Sequence, residues 1–410
     1  MTHTNLKALH NFYSNKKQLF IYLLKWTLLS LIMGALIGAA SALFLYLLHF
    51  VTDYRTNHIH IIYLLPLAGL LSGLIYHYYG GKANLGNNLL IDEYHEPKKV
   101  MPLKMAPFVL FGTLLTHLFG GSAGREGTAI QMGGAIADQF SRFVNLLSTD
   151  RKTIILMGVS GGFASVFGTP LAGTLFALEL MLVGSVLYQS IFPTLMTALV
   201  AHYVCILLGT THTTYIQDSI AIFDLITIIK VITAGIMFGL AAILFIKATD
   251  IWASFLKKSI TYPPLRLFIG GIVFLFGIFL IGDYKYLGLG VPVIEDAFIN
   301  HQESTVFILK IVFTAITLGA GFKGGEVTPL FFIGATLGSF LAVYLNVPVD
   351  FLAAVGFVAV FAGATKTPWA CTLMAIELFG SENGVYFAIA CTIAFLISGK
   401  HTIYKSQKFT

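Results

Sequence analysis

The sequence predicts an all-α integral membrane protein built from two inverted-topology repeats of broken transmembrane helices. Three observations predict it. Hydrophobic types make up 57% of the 410 residues and charged types only 11%, with a mean hydropathy of +0.82, whereas a water-covered surface needs far more charge. The apolar residues come in blocks free of Asp, Glu, Lys and Arg, such as Trp26 to Val51 and Met181 to Val204, which match the roughly 20 apolar residues that cross a bilayer as a helix. Finally, two motifs recur in the same order in the two halves of the chain.

Residues 1–17 form an N-terminal segment with Lys7, Lys16 and Lys17 ahead of the first block. No apolar stretch there is followed by a small-residue cleavage site, so the first span is expected to remain a membrane helix. Repeat 1 is placed at 18–210 and repeat 2 at 219–400, with a short C-terminal segment, 401–410, and no soluble domain after it. Within the repeats many apolar blocks are short and cut by Gly, Pro or Ser, as in Met105 to Gly121 and Phe351 to Thr365. In lipid, broken helices persist only where the freed backbone groups face protein or a wet cavity. Such spans suggest a transporter whose half-helices point at a midplane site. The 40 glycines also suit close helix packing.

The net charge of +6 is spread over loops and ends, among them Lys98, Lys99, Lys104, Arg151, Lys152, Lys257, Lys258, Arg266, Lys400, Lys405 and Lys408. The positive-inside rule puts most of these segments in the cytoplasm. Asn57 to His60 and Thr210 to Asp218 lack Lys and Arg and are expected outside. The charge calls for no nucleic-acid partner. Cys205, Cys371 and Cys391 lie in apolar stretches without metal-ligand spacing and read as small buried hydrophobes; no metal and no cofactor is expected. His95, in D-E-Y-H-E-P, reads as a cytoplasmic loop residue.

The repeat is carried by two pairs of segments. Thr169 to Leu180 (T-P-L-A-G-T-L-F-A-L-E-L) and Thr367 to Leu378 (T-P-W-A-C-T-L-M-A-I-E-L) share Thr, Pro, Ala, Thr, Leu, Ala, Glu and Leu in register. Gly124 to Thr128 (G-R-E-G-T) matches Gly324 to Thr328 (G-G-E-V-T) at Gly, Glu and Thr. Chance likeness of apolar helices accounts for shared Leu and Ala, but not for this order. Glu126 and Glu326 therefore occupy related positions, where duplicated transporters hold their substrate.

Both glutamates follow glycines and precede a helical stretch, Ala129 to Val144 after Glu126 and a helix with Pro329 in its first turn after Glu326. A helix N-terminus with free N–H donors binds an anion, and a carboxylate placed there can hold the anion position itself. Protonated, it lets go and an anion enters, so one group couples proton to anion. The structural reading of Glu126 is an ion pair with Arg125, but ionisable residues inside a membrane are costly and usually functional. Lys323 suits equally an anion-attracting mouth and a solvated loop.

With these residues in view, the chain resembles the CLC chloride channel and antiporter family over nearly its whole length. G-R-E-G-T resembles the family's G-R-E-G-P, which makes Glu126 the counterpart of its gating glutamate. G-G-E-V-T-P resembles the second filter motif, G-G-I-F-A-P in chloride antiporters. S-G-K-H-T-I-Y, residues 398–404, resembles the segment that presents a filter tyrosine, here Tyr404. G-N-N, residues 86–88, stands where chloride members carry G-S-G-I-P with an anion-binding serine.

The departures resemble the fluoride–proton antiporter branch, CLC-F. Asn87 replaces the serine, with Asn88 beside it; Glu326, Val327 and Thr328 replace Ile, Phe and Ala; Thr128 replaces the proline after the gate. The inner proton-accepting glutamate of chloride antiporters aligns with Leu180, while Glu179 matches the residue before it, so Glu326 is the candidate for proton transfer. The resemblance implies a CLC-fold homodimer in the cell inner or plasma membrane, with both termini cytoplasmic, exporting fluoride against inward protons, with membrane lipid around it. Anion contacts are expected from Asn87, Asn88, Gly124, Arg125, Gly127, Thr128, Gly325, Val327, Thr328 and Tyr404. Fluoride holds water tightly, so strong donors must replace its shell. The alternatives are a chloride channel or chloride–proton antiporter on the same fold and, remotely, an intramembrane serine protease built on Ser160 in G-V-S-G-G, residues 158–162; apart from the latter, the reading is not an enzyme.

Overall fold

The computed structural model describes residues 16–143 and 148–409. The expected N-terminal segment, up to residue 15, and the end of the expected helix at Val144 lie outside them. The first half runs α1 (Lys16–Asn57), α2 (Leu65–Ile75), α3 (Asn87–His95), α4 (Met105–Leu118), α5 (Glu126–Ala137), α6 (Thr149–Phe167), α7 (Pro170–Met181) and α8 (Ile191–Leu207). The second runs α9 (Leu225–Ser259), α10 (Pro263–Ile281), α11 (Val291–Ile299), α12 (Ser304–Ala320), α13 (Val327–Leu345), α14 (Val349–Thr365), α15 (Pro368–Phe379) and α16 (Gly384–Ile397). A two-residue parallel ladder joins β1 (Leu182–Val183) to β2 (Lys408–Phe409).

Six helical segments among the described residues are long and apolar enough to cross a bilayer, while α4, α7, α12, α14, α15 and α16 are apolar but shorter. Large side chains such as Phe20, Leu207, Phe276 and Phe279 stand exposed, as a lipid-facing surface requires. The block Met181 to Val204, expected as one span, is broken instead. Gly184 takes a left-handed φ of +89°, and after a 3-10 turn at Tyr188–Ser190 the α-helix resumes at Ile191. The helix expected from Ala129 starts earlier, at Glu126, and gives way to a 3-10 turn at Asp138.

Small residues let the central helices touch backbone to backbone. A Cβ on Gly133 of α5 would sit 2.2 Å from the Gly158 carbonyl of α6. One on Gly334 of α13 would sit 2.1 Å from the Gly356 carbonyl of α14. The same contact is thus made in both halves, in the packing mode that replaces hydrophobic drive inside lipid.

The halves also clasp reciprocally. Glu179 at the end of α7 accepts N–H bonds from Trp369 and Ala370 at the start of α15, at 3.3 and 2.8 Å. Glu377 at the end of α15 accepts from Leu171 and Ala172 at the start of α7, at 2.9 and 2.8 Å. Pro170 and Pro368 open these helices, and the N–H groups that the first turn leaves unpaired are satisfied across the repeat. All three cysteines are buried and free.

Candidate anion and proton site

The site forms where the loops ahead of α5 and α13 cross. Gly124 and Gly325 pair as an isolated antiparallel bridge, N–H to carbonyl at 2.6 and 2.7 Å. A Cβ on Gly124 would lie 2.8 Å from Glu126 Oε2, and one on Gly325 would lie 2.7 Å from the Gly127 nitrogen. Only glycine allows this crossing. Because their N–H groups bond each other, Gly124 and Gly325 shape the site rather than donate within it.

Glu126 is fully buried. Its Oε2 accepts from the N–H of Thr328 and of Arg125, both at 3.1 Å, and its Oε1 accepts from the Thr328 hydroxyl at 2.5 Å. Arg125 Nε stands 3.6 Å from Oε1. The carboxylate therefore rests on the first turn of α13, in the opposite half, and not on the helix that Glu126 itself begins. That placement differs from the sequence reading. The bridge accounts for it, since pairing Gly325 with Gly124 sets the first turn of α13 against the carboxylate.

The equivalent Glu326 behaves differently. It caps α13 from outside and is half-buried. Its carboxylate makes no hydrogen bond or ion pair among the described residues. The charges that act on it are Asp250 and Lys405, themselves paired at 2.7 Å. Pro329 falls in the first turn, as expected.

Asn87 opens α3 after Gly86, whose φ is +58°. Its amide nitrogen lies 3.3 Å from where a Gly127 Cβ would be, and its Oδ1 is buried with no partner among the described residues. Tyr404 is buried, and its hydroxyl likewise has none. Asn88 does something else: its Oδ1 accepts from the Ser406 N–H at 3.0 Å and so holds the segment that carries Tyr404. Gln407 adds bonds to the Leu180 and Thr365 carbonyls. Val327 is buried at the start of α13. Thr128 is turned away, its hydroxyl 2.6 Å from that of Thr113.

Above Glu126 a narrow crevice is lined by Arg125, Glu126, Thr213, Tyr215, Val291 and Thr328. It shares Arg125, Thr213 and Val291 with a vestibule of about 1060 Å³ that also reaches Arg55, His212 and Glu295. Lys323 lies apart from Glu126, its ammonium 4.2 Å from the Tyr76 ring centre, in a separate cavity of about 360 Å³.

Ser160 is no nucleophile. It is fully buried, and its hydroxyl donates to the Met157 and Thr194 carbonyls at 3.1 and 3.0 Å. His95, read as a loop residue, ends α3 with its Nε2 2.6 Å from the Met181 carbonyl. Sequence reasoning missed a buried cluster in which Arg151 binds Asp138 at 2.9 Å and Glu93 at 3.3 Å. The signal was Asp138 at the end of an otherwise apolar stretch.

The family model for the voltage gated chloride channel matches residues 68–399. A chloride/fluoride channel protein of Pseudomonas syringae pv. tomato is 48% identical over 393 residues, covering 94% of this chain and 87% of that protein. The crystal structure of a CLC-type fluoride/proton antiporter superposes with a TM-score of 0.92 at 34% identity, covering 97% of this chain and all of that one. A slow cyanobacterial Cl⁻/H⁺ antiporter shares the fold at a TM-score of 0.79 and 18% identity, with coverage of 91% and 94%.

Proposed function

The chain belongs to the voltage gated chloride channel (CLC) family, and from that premise we propose that it is a secondary antiporter exchanging fluoride for protons. The observation that carries the proposal is the Glu126 carboxylate seated on the Thr328 N–H and hydroxyl. A negative oxygen held by a helix N-terminus marks a place where a small anion is equally welcome. Protonation removes the charge that those donors hold. Glu126 then leaves with its proton, and fluoride takes the vacated donors. Proton and anion cannot share the place, so their movements are coupled in opposite directions.

Fluoride must exchange a tight hydration shell for donors of the protein. The Thr328 N–H and hydroxyl become free when Glu126 leaves. The Asn87 amide, next to Gly127, and the buried, unpartnered Tyr404 hydroxyl are assigned as further donors, and the first-turn N–H groups of Gly127 and Val327 lack intrahelical partners. Glu326 is assigned to carry the proton between Glu126 and the inner side. Among the described residues its carboxylate has no hydrogen-bond or ion-pair partner, and Leu180 offers no carboxylate in its place.

The reading extends to placement. Lys405 pairs with Asp250, in the later part of α9, whose last turn carries Lys257 and Lys258. On this ground the segment around Lys405 is assigned to the basic side, and that side to the cytoplasm of a cell inner or plasma membrane. Lys16 and Lys17 assign the N-terminus there too. A lipid-embedded homodimer, with repeats at 18–210 and 219–400, completes the assignment on family grounds.

The test is fluoride efflux from liposomes, read with a fluoride electrode while proton uptake is recorded. Native protein is expected to release fluoride and take up protons, and Glu126→Gln to lose the proton movement. Chloride efflux as fast as fluoride would move the chain to the chloride branch. Absence of efflux from well-folded protein would overturn the transport reading.

A further inference from the structure

The tyrosine of the C-terminal segment has a counterpart in the first half. Tyr404 follows α16 in Gly399-Lys400-His401-Thr402-Ile403-Tyr404. Tyr215 follows α8 in Gly209-Thr210-Thr211-His212-Thr213-Thr214-Tyr215. His-Thr-x-Tyr recurs unchanged, and each segment leaves its helix through a left-handed glycine, Gly209 at φ +85° and Gly399 at φ +56°. Both are pinned to the last turn of the helix that precedes a Thr-Pro pair. His212 Nε2 meets the Ser165 carbonyl of α6 at 3.0 Å, and the Ile403 N–H meets the Ala364 carbonyl of α14 at 3.0 Å.

The two tyrosines approach from opposite sides. Lys405, next to Tyr404, binds Asp250 in the later part of α9, whereas the segment carrying Tyr215 runs into the start of α9 at Leu225. A 35-residue helix separates its ends by about 50 Å. Tyr215 lines the crevice directly above Glu126 and Thr328. Its ring is fixed by stacking on Phe298, with centres 5.6 Å apart, and by an edge contact with Phe357 at 5.1 Å. Its hydroxyl makes no hydrogen bond among the described residues. A phenol on a locked ring, with its hydroxyl unbonded and its ring lining an anion path, is a donor in waiting.

We propose that Tyr215 is the outer counterpart of Tyr404, its hydroxyl donating to the anion as it passes between the Glu126 position and the outer vestibule. The proposal rests on the antiport reading and adds a ligand on the outer side. The donor lowers the cost of fluoride leaving the Thr328 donors before it is fully hydrated. Arg125 and Thr213 continue the path into the vestibule.

Fluoride efflux and proton uptake of Tyr215→Phe, which keeps the ring contacts, are compared with native protein and Tyr404→Phe in the same liposomes. Tyr215→Phe is expected to slow efflux roughly tenfold, the scale of one hydrogen bond to a charged acceptor, with the proton-to-fluoride ratio unchanged. Native rates in Tyr215→Phe overturn the proposal and leave Tyr215 a packing residue. No efflux from the native chain would strike the antiport reading instead, so the two failures are distinct. If Tyr215→Phe does not fold, 3-fluorotyrosine placed at position 215 in otherwise native protein decides: its ¹⁹F resonance should shift on fluoride titration, and no shift overturns the proposal.

Discussion

Glu126 and Glu326 stand at matching points of two similar segments, yet one carboxylate is held by several donors while the other has no hydrogen-bond or ion-pair partner among the described residues. Glu126 receives three hydrogen bonds and an arginine at 3.6 Å. Glu326 has none of these among the described residues. Each half supplies one loop and helix start to a single backbone crossing, and small differences between the two divide the labour. Arg125 has glycine as its counterpart in Gly325. Thr328 points its hydroxyl at Glu126, while its counterpart Thr128 points at Thr113. A pair of half-helices that began alike now holds a tightly seated carboxylate on one strand of the crossing and a loosely held one on the other. That division suits a transporter in which one group competes with the anion and another only relays a proton.

The largest expected effect comes from neutralising each carboxylate in turn. Glu126→Gln should bring fluoride-coupled proton uptake down to the level of empty liposomes, because the amide cannot carry the proton. Glu326→Gln should also slow coupled uptake strongly, but its thermal midpoint should equal or exceed that of the native protein. A carboxylate without partners in a low-dielectric site costs stability, and removing its charge relieves that cost. A clear drop in the Glu326→Gln midpoint, measured in detergent, would mean that Glu326 has a structural partner and would break the contrast.

A smaller effect separates the two threonines. Thr328→Val keeps the shape but deletes the donor to Glu126. It should lower fluoride turnover roughly tenfold, in line with ~1.5 kcal/mol for a hydrogen bond to a charged group. Thr128→Val deletes only a hydroxyl–hydroxyl bond and should cost about 1 kcal/mol of stability while turnover stays within a factor of about two. Equal turnover losses in both variants would show that the asymmetry of the two hydroxyls has no functional consequence.

Much of this was legible in the sequence. Charge-free blocks and the repeated Thr-Pro and Glu-Leu segments pointed to the membrane fold, and of the motif residues Glu126 and Thr328 meet at the crossing, with the Asn87 amide next to Gly127. What was hidden depended on contacts between distant segments. A helix start predicts where an anion is stabilised, but it does not say which of two adjacent helix starts will take the carboxylate. The Gly124–Gly325 bridge decides that, and it joins residues of opposite halves. Asn88 looked like a ligand because it neighbours Asn87, yet on a helix adjacent residues point in different directions, and it clamps Ser406. Met181 to Val204 read as one span because hydropathy is blind to a left-handed glycine. Tyr215 escaped notice because Thr210 to Asp218 is polar and irregular, and its likeness to the C-terminal segment covers few residues.

The smallest predicted effect tests where the symmetry has been kept. Glu179 and Glu377 perform the same task in mirror fashion, each accepting two N–H groups from the first turn of the other's helix. Neither lies among the residues that line the crevice above Glu126, so selection for transport had no reason to distinguish them. Glu179→Gln and Glu377→Gln should each keep one acceptor oxygen and lose the charge that favours a helix N-terminus. The cost is about 1 kcal/mol apiece, and the two losses should agree within ~0.5 kcal/mol. Thermal unfolding of both variants measures this directly. Unequal losses, or a change in fluoride turnover in only one of them, would place that glutamate on the transport path and would mean that functional asymmetry extends beyond the crossing loops into the clasp between the halves.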